Sequence, residues 1–296
     1  EQAGLLCELS PAQQRQLQSY AAPVVLLKKR PDCPVAEPVA PGLDALGVML
    51  PYTPVHHLLL DAAGIPLVMT SANFSEEPIA YRDQRDAEKL TGLADALLVH
   101  NRPIHMRCDD SVVRLWRDRP MMLRRSRGYT PVPISLSVAT PRPLLACGAM
   151  LKNTFCLARD DQYLLSHHIG DLENLETLES FEQGIRHFEQ LFRCMPEAVV
   201  CDLHPDYLST RYAGQMSRNG QEIPLLRLQH HRAHVISCLA DNDRIEPAIG
   251  IAWDGLGYGD DGTIWGCEFF TGDPADLQRA GHLEPVAQPG GDAATR

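Results

Sequence analysis

This chain of 296 residues is defined first by what it lacks. Its nine cysteines (Cys7, Cys33, Cys108, Cys147, Cys156, Cys194, Cys201, Cys238 and Cys267) contain no C-x-x-C pair, which excludes a zinc ribbon. Their odd number and irregular spacing do not read as a disulfide framework. Several fall in apolar stretches, as reduced core residues of a cytoplasmic protein do. No apolar run approaches the roughly 20 residues needed to span a bilayer. The polar opening at Glu1 has neither an initiator Met nor a signal peptide, so the chain reads as an excised piece of something longer. Internal repeats and long low-complexity tracts are also missing. What remains, 44% hydrophobic and 22% charged, is ordinary globular material, long enough for two domains.

The net charge of −11 is unevenly placed. Residues 1–140 hold 15 basic and 15 acidic side chains, and residues 141–296 hold 12 and 23. An acidic second half argues against broad nucleic-acid binding, which needs Lys and Arg at phosphates. The neutral first half clusters its cations at Lys28, Lys29, Arg30 and at Arg124, Arg125, Arg127. Such clusters suit a small anion such as a triphosphate.

Local signals predict an α/β chain. Ser10 and Pro11 start a helix to Tyr20, and Val55–Ala62 is helical. Pro23–Leu27, Pro66–Thr70, Ala96–His100, Ser111–Trp116 and Met121–Arg125 read as strands. The proline-rich stretch 131–143 marks a boundary between domains 1–138 and 139–296. Beyond it, Leu144–Cys147, Thr154–Ala158 and Gln162–Ser166 suggest a three-strand meander. Apolar residues from Leu178 to Phe192 at helical spacing predict a helix over Glu176–Cys194. A strand at Ala198–Asp202, a helix near His204, a strand at Leu225–Leu228, a histidine-rich helix and a hairpin of Ile249–Trp253 with Ile264–Thr271 follow. This is the element order of one lobe of an actin/Hsp70-like ATPase.

The chemistry concentrates in His230-His231-Arg232-Ala233-His234 and the glycine-rich turn that begins at Asp254. His230 and His234, four residues apart, share a helix face and can grip one metal ion. His231 points about 100° away and reads as a neighbour or a substrate contact. Asp254 can supply a third ligand, and a His/His/Asp set with open positions suits Fe, Mn or Zn. The glycines Gly255 and Gly257 let backbone N–H groups approach phosphate oxygens, although D-G-x-G alone is also an ordinary β-turn. Lys152 sits at the tip of a strand connection, where it is either a phosphate contact or an exposed hairpin lysine. In the first half Lys28-Lys29-Arg30 and Ser71-Ala72-Asn73 each end a predicted strand, the place where ligands gather in open α/β sheets.

Taken in order, these motifs resemble the HypF-type carbamoyltransferases of NiFe-hydrogenase maturation. The first half is similar to a YrdC-like domain through Val24–Arg30, Leu50-Pro51-Tyr52-Thr53-Pro54, Thr70–Asn73, Asp109-Asp110-Ser111-Val112 and Arg124–Pro131. The second resembles the carbamoyltransferase domain related to the tRNA-threonylcarbamoyl transferase. Its marks are Cys147–Leu157, Ser166–Asn174, Asp202-Leu203-His204-Pro205, the histidine helix and the Asp254 turn. Antibiotic-type O-carbamoyltransferases carry the same two domains in the opposite order.

The resemblance implies an enzyme that forms carbamoyl-adenylate from carbamoyl phosphate and ATP (with Mg2+). It implies transfer of the carbamoyl group to the C-terminal cysteine of a partner, HypE. Lys28, Arg30, Ser71, Asn73 and Arg125 would contact nucleotide and carbamate. Lys152, Gly255 and Gly257 would meet phosphate in the second domain, and His230, His234 and Asp254 would hold Fe or Zn. No catalytic nucleophile is expected within the chain, and no membrane or nucleic-acid partner. The family's acylphosphatase domain and zinc-finger repeats are not in this sequence, and Gln288–Ala294 resembles the middle of the transferase domain. A tRNA-threonylcarbamoylation enzyme and a small-molecule O-carbamoyltransferase are the alternatives.

Overall fold

In the computed structural model, residues 1–73, 78–218, 220–287 and 289–290 are described. The chain divides into Glu1–Pro133 with Leu165–Gly170, and Ile134–Leu164 with Asp171–Arg296.

The first unit opens with α1 (Gln2–Leu6) and α2 (Pro11–Leu17). Ser10 caps α2 through a reciprocal box, its hydroxyl accepting from Gln13 N and its own N–H donating to the Gln13 side chain. Four strands follow, β1 (Val24–Lys28), β2 (Ala45–Val48), β3 (Val112–Trp116) and β4 (Arg119–Arg124), in the order β2-β1-β3-β4. Strand β1 runs parallel to β3, so a crossover must join them; α3 (Pro54–Ala63) and α4 (Asp83–Leu90) lie along it. Val25 and Leu27 alternate inward and are fully buried with Cys7, Leu17, Ala40 and Leu46. Arg127 ties this unit together. It pairs with Asp110 at 2.8 Å, donates to the carbonyls of Ala21 and Ala22, and stacks 3.4 Å over the Tyr52 ring.

The expected strands at Pro66–Thr70 and Ala96–His100 do not form. Val68, Leu98 and Val99 stand exposed. An apolar run becomes a strand only when a neighbour takes its hydrogen bonds, and sequence pattern says nothing about the neighbour.

The second unit begins with two long antiparallel strands, β5 (Ile134–Ala146) and β6 (Cys156–Leu165). Strand β6 spans the two segments expected as separate strands of a meander. The polar Arg159-Asp160-Asp161, which reads as a turn, is accommodated inside the strand with Asp160 at φ +54° and a shifted register. Likewise most of the proline-rich stretch is strand β5, with Pro141 and Pro143 lying where the ladder is interrupted between Thr140 and Leu144.

Helix α5 (Leu175–Phe192), capped by Asn174, buries Phe181, Ile185 and Phe188. Then come β7 (Ala198–Asp202), α6 (Leu208–Gly214), the small hairpin β8 (Ser217–Arg218) and β9 (Gln221–Glu222), and β10 (Leu225–Leu228). The main sheet has the order β10-β7-β5-β6, with β7 parallel to both neighbours. Helix α7 (His230–Asp241) leads to β11 (Ala248–Ala252), β12 (Gly257–Tyr258), β13 (Ile264–Trp265), β14 (Glu268–Asp273) and β15 (Asp276–His282). A second sheet has the order β11-β14-β15. The expected hairpin is therefore split: β11 pairs with β14, while Ile264–Trp265 pairs with Gly257–Tyr258.

Candidate metal centre

Helix α7 starts one residue after β10 and carries His230 and His234 one turn apart. Their Nε2 atoms lie 3.2 Å from each other. Asp254 follows the end of β11 by two residues and brings Oδ2 to 3.0 Å from His230 Nε2 and 3.3 Å from His234 Nε2. One potential ligand atom from each of the three lies within 4.8 Å of the others. Glycine makes the approach possible: a Cβ on Gly250 would collide with both γ-methyl groups of Val235, so only a bare Cα in β11 lets α7 lie this close.

Asp202, at the end of β7, holds the first histidine. Its Oδ2 accepts from His230 Nδ1 at 2.6 Å, and its Oδ1 accepts from the His204 backbone N–H at 2.8 Å. The bond to Asp202 raises the His230 pKa, against burial, and the charges of Asp202 and Asp254 add to the effect. With its Nδ1 proton committed to Asp202, a neutral His230 turns an Nε2 lone pair towards the Asp254 carboxylate. Two acceptors 3.0 Å apart need a positive species between them, either a second proton or a cation. The carboxylate–histidine pair behind an N/N/O donor set is the arrangement that orients imidazoles on a divalent metal. These residues fit such an ion.

His231 is turned inward and is 0% exposed. Burial lowers its pKa, so it is neutral. Gly257 is required by this ring: a Cβ there would collide with His231 Cε1 and lie 2.8 Å from Nδ1. Gly255 meets no such demand. The acidic pair after the turn is used locally, Asp260 on Arg232 at 2.9 Å and Asp261 on Thr263 and the Trp265 indole N–H. The far side of the site opens on a groove of about 420 Å³ lined by His234, Cys238, Ile249, Ile251, Trp253 and Asp254.

Lys152 sits at the exposed tip of the β5–β6 connection with φ +49°, its N–H donating to Asp171 Oδ1 at 2.6 Å. The loop before it is braced by Asn153, whose amide donates to the carbonyls of Cys147 and Ala149, and by Ser209 on the Gly148 carbonyl. In the first unit Lys28 pairs with Glu8 at 3.1 Å and Arg30 with Asp32 at 3.2 Å. These pairs are solvent-exposed and of the kind worth about 0–1 kcal/mol, so an incoming phosphate can displace them. Ser71 is exposed and Asn73 half-buried, both outside helix and strand, with the Asn73 N–H on the Ser71 carbonyl. Arg125 is differently placed. Its guanidinium donates to Thr130 Oγ1 and to the carbonyls of Tyr129, Val132 and Leu165, which is bracing rather than an open anion site.

The structure thus brings His230, His234, Asp254 and Gly257 together as one cluster. Sequence reasoning missed Asp202 as the partner of His230, and Gln229 as the cap of α7. The sequence marks Asp202 only as part of the motif Asp202-Leu203-His204-Pro205 at a strand end, and Gln229 only as a polar residue before a helix.

Three family models match the chain: "Telomere recombination", of the Sua5/YciO/YrdC group, over 1–126, "HypF Kae1-like domain" over 139–241, and "Carbamoyltransferase, Kae1-like Domain, second subdomain" over 250–296. Carbamoyltransferase HypF of Synechocystis sp. is 45% identical over 91% of this chain and 35% of its own length. Carbamoyltransferase HypF of Rhodobacter capsulatus is 44% identical over 99% and 40%. The chain therefore spans well under half the length of these relatives. Among solved structures, full-length HypF in a phosphate- and nucleotide-bound form matches with a TM-score of 0.86 at 42% identity, over 94% of this chain and 43% of that one. T. kodakarensis HypF matches with a TM-score of 0.90 at 37% identity, over 99% and 38%.

Proposed function

The chain belongs to the HypF carbamoyltransferase family, and on that premise we propose that it carries the adenylating and transferring parts of an ATP-dependent carbamoyltransferase. The observation that carries this reading is the His230/His234/Asp254 cluster with Asp202 behind it, lying in the segment that matches the Kae1-like domains.

In this reading carbamate, released from carbamoyl phosphate, attacks the α-phosphorus of ATP in the first unit. Carbamoyl-adenylate forms and pyrophosphate leaves. Lys28 and Arg30 exchange their exposed carboxylate partners for phosphate oxygens, while Ser71 and Asn73 offer a hydroxyl and an amide to the nucleotide or carbamate. Arg125 is the weakest member of this set, because its donors hold backbone carbonyls.

In the second unit His230, His234 and Asp254 would hold one Fe or Zn ion, which when bound supplies Lewis-acid polarisation of a phosphate or carbonyl oxygen. Asp202 keeps the Nδ1 proton of His230 in place and so keeps Nε2 available as a donor atom. Lys152 and the backbone N–H groups of Gly255 and Gly257 would meet the adenylate phosphate. The acceptor thiolate, the C-terminal cysteine of HypE, attacks the carbamoyl carbon and AMP departs, giving a thiocarbamate on the route to a cyanide ligand of NiFe-hydrogenase. No cysteine of this chain need act as nucleophile. The reading places the protein in the cytoplasm; among the described residues no helix is long and apolar enough to cross a membrane.

The test is carbamoyl phosphate- and ATP-dependent pyrophosphate release by the full-length protein, with and without HypE bearing its terminal cysteine. Carbamoylation of that cysteine is the expected result. Transfer instead to a tRNA or a small alcohol would move the activity to the alternative families.

A further inference from the structure

The third histidine of α7 has a chemistry that neither ligand duty nor packing accounts for. The Arg232 backbone N–H donates to Gln229 Oε1 at 3.0 Å, which fixes which end of that amide is which. The amide nitrogen then faces the Tyr258 carbonyl at 3.2 Å and His231 Nδ1 at 3.2 Å. A donor opposite Nδ1 makes Nδ1 the acceptor, so the ring proton sits on Nε2. That N–H is buried and has no hydrogen-bond partner. Buried N–H groups without acceptors are rare because they cost free energy. The oxygen it faces is Asp254 Oδ2, 3.8 Å away, the same atom that approaches His230 and His234. Gly257 lies against the ring edge, where any side chain would displace it.

We propose that His231 is a positioning residue of the metal centre: an imidazole locked as its Nε2–H tautomer by Gln229 and aimed at Asp254, whose carboxylate it orients. This rests on the metal reading of the site. A carboxylate oxygen has two lone pairs. One serves the side of His230 and His234, and the other is left for the His231 N–H, which at 3.8 Å is aimed at the carboxylate without yet bonding it. With its proton on Nε2 and its ring fully enclosed, His231 is no ligand itself. On this proposal the three histidines of one helix turn divide into two that would ligate the metal and one that directs its N–H at the carboxylate.

Two measurements on the full chain test this. Long-range 1H–15N correlation on 15N-histidine-labelled protein should show His231 protonated at Nε2, and a proton at Nδ1 would overturn the proposal. The second is Zn2+ affinity by competition with a chromophoric chelator for the wild type, His231→Leu and His231→Gln. Leu should weaken zinc by roughly 10–100-fold, the usual effect of losing such an outer partner. Gln, whose amide can return an N–H near the Nε2 position, should recover most of it. Leu binding as tightly as wild type would sink the positioning role alone, and Leu and Gln equally weak would reduce His231 to packing. Wild type that takes up no zinc would sink the metal centre and this role together. Thermal melts of both variants separate loss of fold from loss of site.

Discussion

Replacing Asp202 with Asn changes one atom and should disable the metal site while sparing the fold. The structure dictates how the new amide must lie. Asp202 Oδ1 accepts from the His204 backbone N–H at 2.8 Å, and Oδ2 accepts from His230 Nδ1 at 2.6 Å. An Asn keeps its oxygen on His204, so its NH2 group takes the place of Oδ2 and offers a proton to His230 Nδ1. The imidazole proton must then move to Nε2, where it blocks the lone pair that faces His234 and Asp254. Turning the amide around instead strands the half-buried His204 N–H. Either route costs about one buried unmade hydrogen bond, roughly 1–3 kcal/mol. At 1.4 kcal/mol per decade this is about 5–150-fold in affinity. Chelator competition for zinc, run beside urea unfolding of the metal-free protein, is the assay. Zinc affinity should fall within that range, with little change in the unfolding slope. An Asp202→Asn variant that holds zinc as tightly as wild type would refute both the tautomer argument and the role of Asp202 behind the site.

Metal occupancy should depend on pH through His230. Its pKa is raised, so in metal-free protein its protonation stabilises the fold below the ordinary histidine value and that contribution is lost as pH rises through the raised value. Metal competes with this proton, so at sub-saturating metal occupancy runs the other way and falls on acidification; a flat titration from about pH 8 to about pH 5.5 would remove His230 from the ligand set. Arg127→Met should cost about 3 kcal/mol in urea unfolding, because the Ala21 and Ala22 carbonyls and Asp110 lose their donor together; a cost under about 1 kcal/mol would mean water replaces it. In the native protein iodoacetamide should modify the exposed Cys238 well before Cys147, which is buried and whose thiol burial pushes to high pKa. Equal labelling rates, read by peptide mass spectrometry, would show the main sheet opening readily.

Elements that carry their own local signal were legible in the sequence. The Ser10 cap with Pro11, the apolar stripe of α5, the buried run Ala198–Asp202 and the i, i+4 histidines of α7 all lie where the pattern put them. Failures came where the outcome depends on a distant partner. Val68 and Leu98 look like strand residues but pair with no strand among the described residues, and Asp160 looks like a turn but is carried as an irregularity within β6 opposite Thr140 of β5. The candidate ligands could be named because two of them are neighbours on one helix. Asp202 could not, because it meets His230 only after β7 and α7 have packed. The cations of the first unit illustrate a further limit: composition grouped Lys28 with Arg30, but not the carboxylates Glu8 and Asp32 that hold them.

The candidate ligands of the second unit come from two different sheets. His230 follows the end of β10 and is steadied from the end of β7, whereas Asp254 extends from β11. A bound ion would therefore act as a cross-link between the sheet β10-β7-β5-β6 and the sheet β11-β14-β15. Such a link is thermodynamic as well as chemical: free metal above its dissociation constant must stabilise the joined arrangement by mass action, by about 2.7 kcal/mol at a hundredfold excess. Loading of the site and mechanical union of the two sheets would then be a single equilibrium, so a cell short of metal would hold a looser protein.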